Sequence, residues 1–154
     1  MSLLTIKDLS LKIGDAQILS DIDLRVDKGE IVGVIGESGS GKSMTALSIM
    51  QLLPLSSDVG GSVRLNGEEL LEKSEPEMCD LRGNDIGMIF QEPMTALNPV
   101  KTIGDQVAET VLVHTKVSRG EAMEIARSAL DRVELPADQF PLSRYPHELS
   151  GGQR

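Results

Sequence analysis

One segment of the sequence has the residue types and spacing that bind a nucleotide phosphate. Residues 36–43 match the pattern G-x-x-x-x-G-K-[ST]. Glycine lets the backbone curl around a phosphate with its amides pointing inward, and a helix that starts near Lys42 would add the positive end of its dipole. In this pattern the lysine reaches the β- and γ-phosphates, and the serine hydroxyl binds Mg²⁺. The predicted binding residues for a nucleoside triphosphate and Mg²⁺ are therefore Gly36, Glu37, Ser38, Gly39, Ser40, Gly41, Lys42 and Ser43.

The elements on either side of this loop are those that such a loop requires. Residues 31–35 are continuously apolar and rich in β-branched side chains, which is typical of a strand buried on both faces in a parallel sheet. Residues 42–53 predict a helix that ends before Pro54. The alternative is a glycine-rich turn that matches the pattern by chance, and the strand–loop–helix context argues against it.

The rest of the chain predicts an α/β core with a helical insertion after residue 91. The acidic residues 68–80 are interpreted as a solvated face. Further strands are predicted over residues 3–11, 18–26, 61–65 and 86–90, and helices over residues 103–114 and onward from a capping box at Ser118–Glu121. One apolar face of that last helix should carry Ala122, Ile125, Ala126, Ala129, Leu130 and Val133.

Composition and charge narrow the range of partners. The 154 residues carry a formal net charge of −9, which argues against loose electrostatic binding to nucleic acid or anionic lipid. No stretch approaches the roughly 20 apolar residues of a membrane-spanning helix, so any membrane association is expected to come through a partner protein. Cys79 is the only cysteine, and we interpret it as a reduced residue without a role rather than as a reactive thiol.

A second candidate phosphate site lies at residues 149–153, which read Leu-Ser-Gly-Gly-Gln. Ser150 is a favourable N-cap, and Gly151 and Gly152 offer unobstructed amides where a helix is expected to start. An ordinary helix cap or a flexible tail would explain such a short motif as well. The complete phosphate loop upstream, in this order, favours the second phosphate site.

With these two motifs in this order, the chain resembles the ATP-binding subunits of ABC transporters over essentially its whole length. In that family, residues matching 149–153 form the signature motif. Gln91, which directly follows the predicted strand 86–90, matches the family's Q-loop glutamine. The segments Phe90–Pro99 and Arg144–Glu148 are similar to those of the subgroup that energises import of peptides, nickel or glutathione.

The resemblance implies a P-loop NTPase fold of the α/β class, with an antiparallel β lobe and a helical insertion, incomplete at its C-terminal end. It divides the chain into a β lobe with the P-loop core (1–91), a helical subdomain (92–148) and the signature motif (149–154). It also implies a peripheral location at the cytoplasmic face of the cell membrane. The implied partners are transmembrane permease subunits, a second ATP-binding subunit and, indirectly, a periplasmic or extracellular solute-binding protein.

In this family two subunits meet head to tail, and each ATP lies between the phosphate loop of one subunit and the signature motif of the other. The resemblance therefore places Ser150, Gly151, Gly152 and Gln153 against a nucleotide that the partner subunit binds. It places Gln91 beside Mg²⁺ and the attacking water, as the catalytic residue of this chain.

Two departures from the family pattern affect the expected activity. Ile13 occupies the position where the family usually stacks an aromatic side chain on adenine, so that stacking is expected to be missing. The family's second acidic motif, catalytic glutamate, D-loop and switch histidine would all lie beyond Arg154. Residues 1–154 are therefore expected to hydrolyse ATP negligibly by themselves, since positioned acid–base groups supply rate factors of about 10² to 10⁴. The resemblance also implies that strands from beyond Arg154 lie between the strands 31–35 and 86–90. Without them, the edges of these two strands have no neighbours, which is expected to favour aggregation.

Three other functions remain open. A P-loop kinase or GTPase should lack the signature motif and a glutamine loop followed by a helical insertion. An ABC protein of DNA repair or translation should carry long coiled-coil insertions or paired cassettes, whereas residues 92–148 predict only a short helical insertion. A non-catalytic fragment that binds nucleotide or a partner fits the same residues.

Overall fold

The computed structural model describes residues 2–90, 92 and 96–154, and the chain divides into two units between Arg82 and Gly83. None of the described helices is long and apolar enough to span a membrane. The first unit contains β1 (Ser2–Ile13), β2 (Ala16–Asp27), α1 (Lys42–Ile49), β3 (Ser57–Leu65), β4 (Glu68–Glu69) and α2 (Glu75–Leu81). The second unit contains α3 (Ile103–His114), α4 (Arg119–Arg132) and two 3₁₀ turns (Pro146–Glu148 and Gly151–Gln153).

The first unit is built on an antiparallel sheet of four strands in the order β2-β1-β3-β4. The strands predicted over residues 3–11, 18–26 and 61–65 are confirmed, and each is longer than predicted. One face of the sheet carries apolar side chains, because alternate residues of a strand point to the same face. The buried apolar side chains of this unit are Ile6, Leu9, Leu11, Leu19, Met50, Val63, Leu70 and Met78.

A bulge in β1 realigns the apolar side chains of this strand. Lys7 pairs with Ser62 and Ser10 pairs with Gly60. Ser10 is three residues after Lys7, but Gly60 and Ser62 are only two residues apart, so β1 holds one extra residue at this point. The extra residue lets Ile6 and Leu9 both reach the core, although their separation in the strand is odd. A positive φ of 50° at Asp21 marks a comparable irregularity in β2.

Two segments predicted to be buried strands are not strands in the described structure. Residues 31–35 have no strand pairing, and Ile31 and Ile35 are 99% and 98% exposed. Residues 86–90 form nothing beyond an isolated bridge, and Ile89 is 99% exposed. Both predictions are wrong for the described residues, because a strand forms only where a neighbour supplies hydrogen bonds, and the four paired strands use other segments.

Helix α1 ends earlier than predicted because Gln51 adopts a left-handed conformation, with a φ of 50°. The amide of Gln51 donates to the carbonyl of Ser48 at 3.2 Å, and the amide of Leu52 donates to the carbonyl of Leu47 at 3.0 Å. This is the Schellman arrangement that ends many helices, usually with glycine at the left-handed position. The last helical residue is therefore Ile49.

The acidic residues 68–80 include helix α2, which the sequence analysis did not predict, and all of their acidic side chains except that of Glu69 are exposed, as expected of a solvated face. The helix begins with a capping box, in which the amide of Ser74 donates to the carboxylate of Glu77 at 2.8 Å. Arg82 follows the helix and donates from Nε to the carbonyl of Met50 at 2.8 Å and from Nη2 to the carbonyl of Gln51 at 3.1 Å. This arginine therefore links α2 to the C-terminal end of α1.

Glu69 gives the first unit a pH-dependent contribution to stability. Burial raises the pKa of its carboxyl group, but several hydrogen bonds to the carboxylate outweigh burial. The donors are the hydroxyl of Ser62, the amides of Val63 and Leu71, and the guanidinium of Arg64. The net result is a pKa of Glu69 that is lower than usual.

We expect Glu69→Gln to flatten the acid side of the stability profile. A carboxyl group whose folded-state pKa is below its unfolded value of about 4.3 contributes stability above that value and loses it as the pH falls through the folded-state pKa. Chemical denaturation at a series of pH values measures the free energy of unfolding. The difference between the wild type and Glu69→Gln should be largest near neutral pH and shrink in acid. Glu72→Gln, at a nearby exposed position, is the control, and an equal flattening in both variants would contradict the prediction.

The second unit is built on helices α3 and α4, and both begin where the sequence predicts. The hydroxyl of Thr102 accepts a hydrogen bond from the amide of Asp105 at 3.1 Å, which caps α3. The predicted capping box of α4 is present, because the amide of Ser118 donates to the carboxylate of Glu121 at 2.8 Å and the Ser118 hydroxyl accepts from the Glu121 amide at 3.3 Å. Local sequence signals therefore fix both helix starts.

The apolar face of α4 is narrower than predicted. Ala122, Ala126 and Leu130 are buried, whereas Ile125 and Val133 are 45% and 63% exposed. Two buried clusters hold the second unit together: one contains Ile103, Leu130, Leu135, Phe140 and Leu149, and the other contains Ala108, Ala122 and Ala126. The residues that lead into the signature motif therefore pack against both helices.

Glu134→Gly is expected to stabilise the second unit by about 0.5 to 1 kcal/mol. Glu134 has a φ of 62°, and the amides of Glu134 and Leu135 donate to the carbonyls of Asp131 and Leu130 in a Schellman arrangement at the end of α4. Glycine adopts this conformation without the crowding at Cβ, although its freedom in the unfolded chain offsets part of the gain. Chemical denaturation measures the change. Glu134→Ala also removes the charge but keeps Cβ, so an equal gain in both variants would contradict the backbone explanation.

Candidate functional site

The predicted phosphate loop folds around the ammonium group of Lys42. Its Nζ donates to the carbonyl oxygens of Gly36 and Glu37, each at 2.7 Å, and lies 3.2 Å from the hydroxyl oxygen of Ser40. The amide of Ser40 donates to the carbonyl of Glu37 at 3.2 Å and closes a turn within the loop. The structure thus brings together four of the predicted binding residues.

A side chain would approach a neighbouring side chain closely at two glycines of this loop, and at Gly41 the positive φ also favours glycine. A Cβ at Gly36 would lie 2.5 Å from the hydroxyl oxygen of Ser40. A Cβ at Gly41, where φ is 90°, would lie 2.4 Å from Cδ2 of Leu19. Leu19 is a buried residue of β2, so the antiparallel sheet supports the loop where the helix begins.

Helix α1 begins at Lys42, directly after the loop, so the loop lies at the positive end of the helix dipole. The first turn of α1 contains no acidic residue that would offset this positive end. Ser43 is exposed in the same turn. The hydroxyl of Thr45 donates to the carbonyl of Gly41 at 3.1 Å and fixes the start of the helix.

These features fit a complex of ATP with Mg²⁺. Residues 31–40 are exposed, so the loop is open to solvent and to a ligand. Lys42 is held by two neutral carbonyls and a hydroxyl. A charged phosphate oxygen is a stronger acceptor for an ammonium group than a neutral carbonyl, so phosphate can compete for Lys42. Ser43 is exposed at the same helix end, and its hydroxyl has the chemistry of a Mg²⁺ ligand.

Ile13, the residue predicted to lie on the adenine side, is half-buried at the end of β1. It pairs with Ala16 of β2 and with Ser57 of β3. The strand ends in a turn at Gly14, which has a φ of 58°. Ile13 therefore offers an aliphatic surface only, and its contact with a base stays a prediction.

The signature motif begins a 3₁₀ turn rather than an α-helix. The amide of Ser150 donates to Oε1 of Gln153 at 2.9 Å, and the amide of Gln153 donates to the carbonyl of Ser150 at 3.1 Å. Gly151 and Gly152 are exposed, with open space where a side chain would lie. Leu149 is buried in the core of the second unit and anchors the motif.

The predicted site residues belong to different parts of the chain. The phosphate loop and Ile13 lie in the first unit, and residues 150–153 lie in the second. Gln91, predicted to position Mg²⁺ and the attacking water, lies outside the described residues. Its role and that of residues 150–153 stay predictions.

Sequence reasoning missed the arginine that holds the helix of the phosphate loop in place. The side chain of Arg82 is only 15% exposed and pairs with Glu75 at 2.6 Å, in addition to its bonds to the end of α1. The hydrogen bond from Arg82 lowers the pKa of Glu75. Arg82 is 32 residues from Met50 and 31 from Gln51, and no local sequence pattern predicts a contact over that distance. The sequence shows only that a basic residue follows an acidic segment.

Comparison with known proteins connects the chain to ATP-binding subunits of importers. A probable peptide ABC transporter ATP-binding protein of Sinorhizobium fredii is 48% identical over 158 residues, which cover 99% of this chain and 47% of that protein. The oligopeptide transport ATP-binding protein OppD of Escherichia coli is 42% identical over 157 residues, which cover 99% of this chain and 47% of that protein. The glutathione import ATP-binding protein GsiA of Salmonella choleraesuis is 48% identical over 145 residues, which cover 87% of this chain and 23% of that protein.

Solved structures show the same fold. The dimeric post-hydrolysis state of the ATP-binding cassette MJ0796 bound to ADP and Pi is 27% identical, with a TM-score of 0.81 over 97% of this chain and 64% of that chain. This likeness confirms the α/β fold class with an antiparallel β lobe. The chain spans about half the length of the first two relatives. The ABC transporter family profile matches residues 19–154, and the chain belongs to this family.

Proposed function

We propose that the chain is the ATP-binding part of a subunit that energises an ABC importer for peptides or for nickel-type substrates. The relatives named for peptide, oligopeptide and glutathione transport support this substrate class. The segments Phe90–Pro99 and Arg144–Glu148 support the same subgroup. Membership of the ABC family argues against a P-loop kinase or GTPase.

The observation that carries this proposal is the position of Lys42. Its ammonium group lies inside the loop 36–43 at the positive end of α1, held by acceptors that a phosphate can replace. In the proposed complex, Lys42 turns to the β- and γ-phosphates, the loop amides hold the phosphate oxygens, and the hydroxyl of Ser43 binds Mg²⁺. The bound metal would neutralise part of the phosphate charge.

The proposed working unit is a head-to-tail dimer. The signature residues Ser150, Gly151 and Gly152 of one subunit would close on the γ-phosphate held by the loop of the other, and Gln91 would orient the water. ATP would then join the subunits and hydrolysis would release them, which would move the attached permease subunits. Because no Asp or Glu in residues 1–154 closes a run of apolar residues in the way the family's second acidic motif would, we propose that these residues bind ATP but hydrolyse it negligibly by themselves.

The first test is titration calorimetry of this chain with MgATP, with AMP as the matched ligand. AMP has the same base and sugar but lacks the β- and γ-phosphates that Lys42 would bind. We expect MgATP to bind and AMP to bind far more weakly. Equal binding of the two ligands, or no binding of either, would overturn the proposed phosphate site.

A second test addresses the transport partners. Affinity purification of the full-length subunit from detergent-solubilised membranes should recover transmembrane permease subunits. Recovery of DNA or ribosomes instead would favour an ABC protein of repair or translation. Recovery of neither, with MgATP binding intact, would favour the non-catalytic nucleotide-binding alternative.

A further inference from the structure

Tyr145 and His147 form a stacked pair on the surface, directly before the signature motif. Their ring centroids are 5.7 Å apart and the ring planes differ by 15°. Tyr145 is 39% exposed and His147 is also exposed. The chain has only one tyrosine, two phenylalanines and no tryptophan. In a chain with so few aromatic side chains, a stacked pair outside the core is available to a flat ligand.

The backbone that carries this pair is well anchored. Pro146 is buried at the start of the 3₁₀ turn, and Leu149 is buried in the core of the second unit. The amide of Tyr145 donates to the carboxylate of Glu148 at 2.7 Å, and the amide of Glu148 donates back to the carbonyl of Tyr145 at 3.0 Å. The carbonyl of Arg144 accepts a hydrogen bond from the first amide of α3 at 2.8 Å. The backbone that carries the two rings is therefore ordered before any ligand arrives, which reduces the entropy lost on binding.

The proposed function leaves the base of the nucleotide without an aromatic partner. The phosphate loop belongs to a unit whose candidate base contact, Ile13, is aliphatic. A nucleotide sandwiched between two subunits would also face the segment before the partner's signature motif. Tyr145 and His147 lie in that segment, a few residues before Ser150.

We propose that the face of Tyr145 that is not stacked on His147 packs on the adenine ring of the nucleotide that a second copy of the subunit binds in its phosphate loop. This inference rests on the proposed function and adds a base-binding surface to it. Aromatic faces stack on any base, so the pair would supply affinity for a nucleoside triphosphate and stability to the ATP-bound dimer. It would not bind a bare triphosphate.

Tyr145 can report its own contact, because it is the only tyrosine and the chain has no tryptophan. We expect MgATP to quench tyrosine emission, after correction for nucleotide absorbance, and the quenching to increase with protein concentration as dimers form. Magnesium tripolyphosphate, which lacks the base, should leave the emission unchanged. If calorimetry shows MgATP binding while the emission stays constant at every protein concentration, the inference fails and the proposed function stands. If MgATP does not bind, both fail.

A mixing experiment shows whether the contact crosses the dimer. Lys42→Ala keeps the tyrosine but loses the phosphate contact, whereas Tyr145→Phe keeps the loop but has no tyrosine. Neither variant alone should show MgATP quenching, and an equimolar mixture should. Quenching that is absent from the mixture but present in the wild type would place the base contact within one subunit and overturn the proposal.

The stability of the dimer gives an independent measure. Tyr145→Ala is expected to weaken MgATP-driven self-association about tenfold, and Tyr145→Phe, which keeps the ring, should change it little. Sedimentation velocity over a range of protein concentrations measures both. Equal association of the wild type and Tyr145→Ala in MgATP would contradict the inference.

Discussion

Lys42→Ala is expected to weaken MgATP binding to this chain by about 10- to 100-fold. The ammonium group of Lys42 lies within the loop on neutral acceptors, the carbonyls of Gly36 and Glu37. Phosphate would replace these with charge-assisted hydrogen bonds, which contribute about 1.5 to 3 kcal/mol each. Calorimetric titration at one fixed ionic strength measures the loss, since salt screens interactions between charges.

Lys28→Ala is the matched control for this prediction, because it removes the same charge at an exposed position outside the loop. It should leave MgATP affinity nearly unchanged. The Lys42 variant should also keep its fold, because the carbonyls that lose the ammonium group lie in an exposed loop where water can replace it. Thermal melts followed by circular dichroism check this point. Equal affinity losses in the two variants would indicate a general effect of net charge and contradict a specific role for Lys42.

Elements with a local signal were predictable from the sequence. Helix α3 begins and ends where predicted, and α4 begins at the predicted capping box of Ser118 and Glu121. Helix α2 was missed although Ser74 and Glu77 form the same kind of capping box. Its seven residues are too few to show a helical repeat, and the surrounding acidic residues conceal the signal.

Elements that depend on distant partners were not predictable from local patterns. An apolar, β-branched run such as 31–35 favours a strand, but whether it becomes one depends on neighbours that supply hydrogen bonds. The described sheet contains no strand that pairs with it, so Ile31 and Ile35 face solvent. The early end of α1 likewise depends on the left-handed conformation of Gln51, a residue type that gives no warning of it.

The same division applies to the candidate site. The motif identified residues 36–43, because the pattern describes a backbone shape that only glycines at fixed positions allow. It did not reveal that the loop rests on Leu19 of β2, or that Arg82 holds the far end of α1. Both contacts join residues that are far apart in sequence, and only the folded chain shows them.

Gly61→Ala is expected to destabilise the first unit by about 3 to 5 kcal/mol. Gly61 lies opposite the β1 bulge and has a φ of 97°. A Cβ at this position would lie 2.4 Å from the carbonyl oxygen of Asp8 and 2.6 Å from that of Lys7. Both atoms belong to the backbone of β1, so no side chain can move aside to make room. The unfavourable φ adds to the collision, and the β1–β3 ladder must shift or open.

Gly60→Ala is the matched control, because the adjacent glycine has open space at its Cβ position and no positive φ. Gly60→Ala should change the free energy of unfolding little, and chemical denaturation of both variants measures the difference.

The effect of Gly61→Ala should also reach the phosphate loop. Strand β3 pairs with β1, β1 pairs with β2, and Leu19 of β2 lies against Gly41. The fraction of Gly61→Ala that binds MgATP should therefore fall together with the fraction that is folded. If Gly61→Ala is as stable as the wild type, the close approach at the β1 bulge is not the reason for glycine at this position.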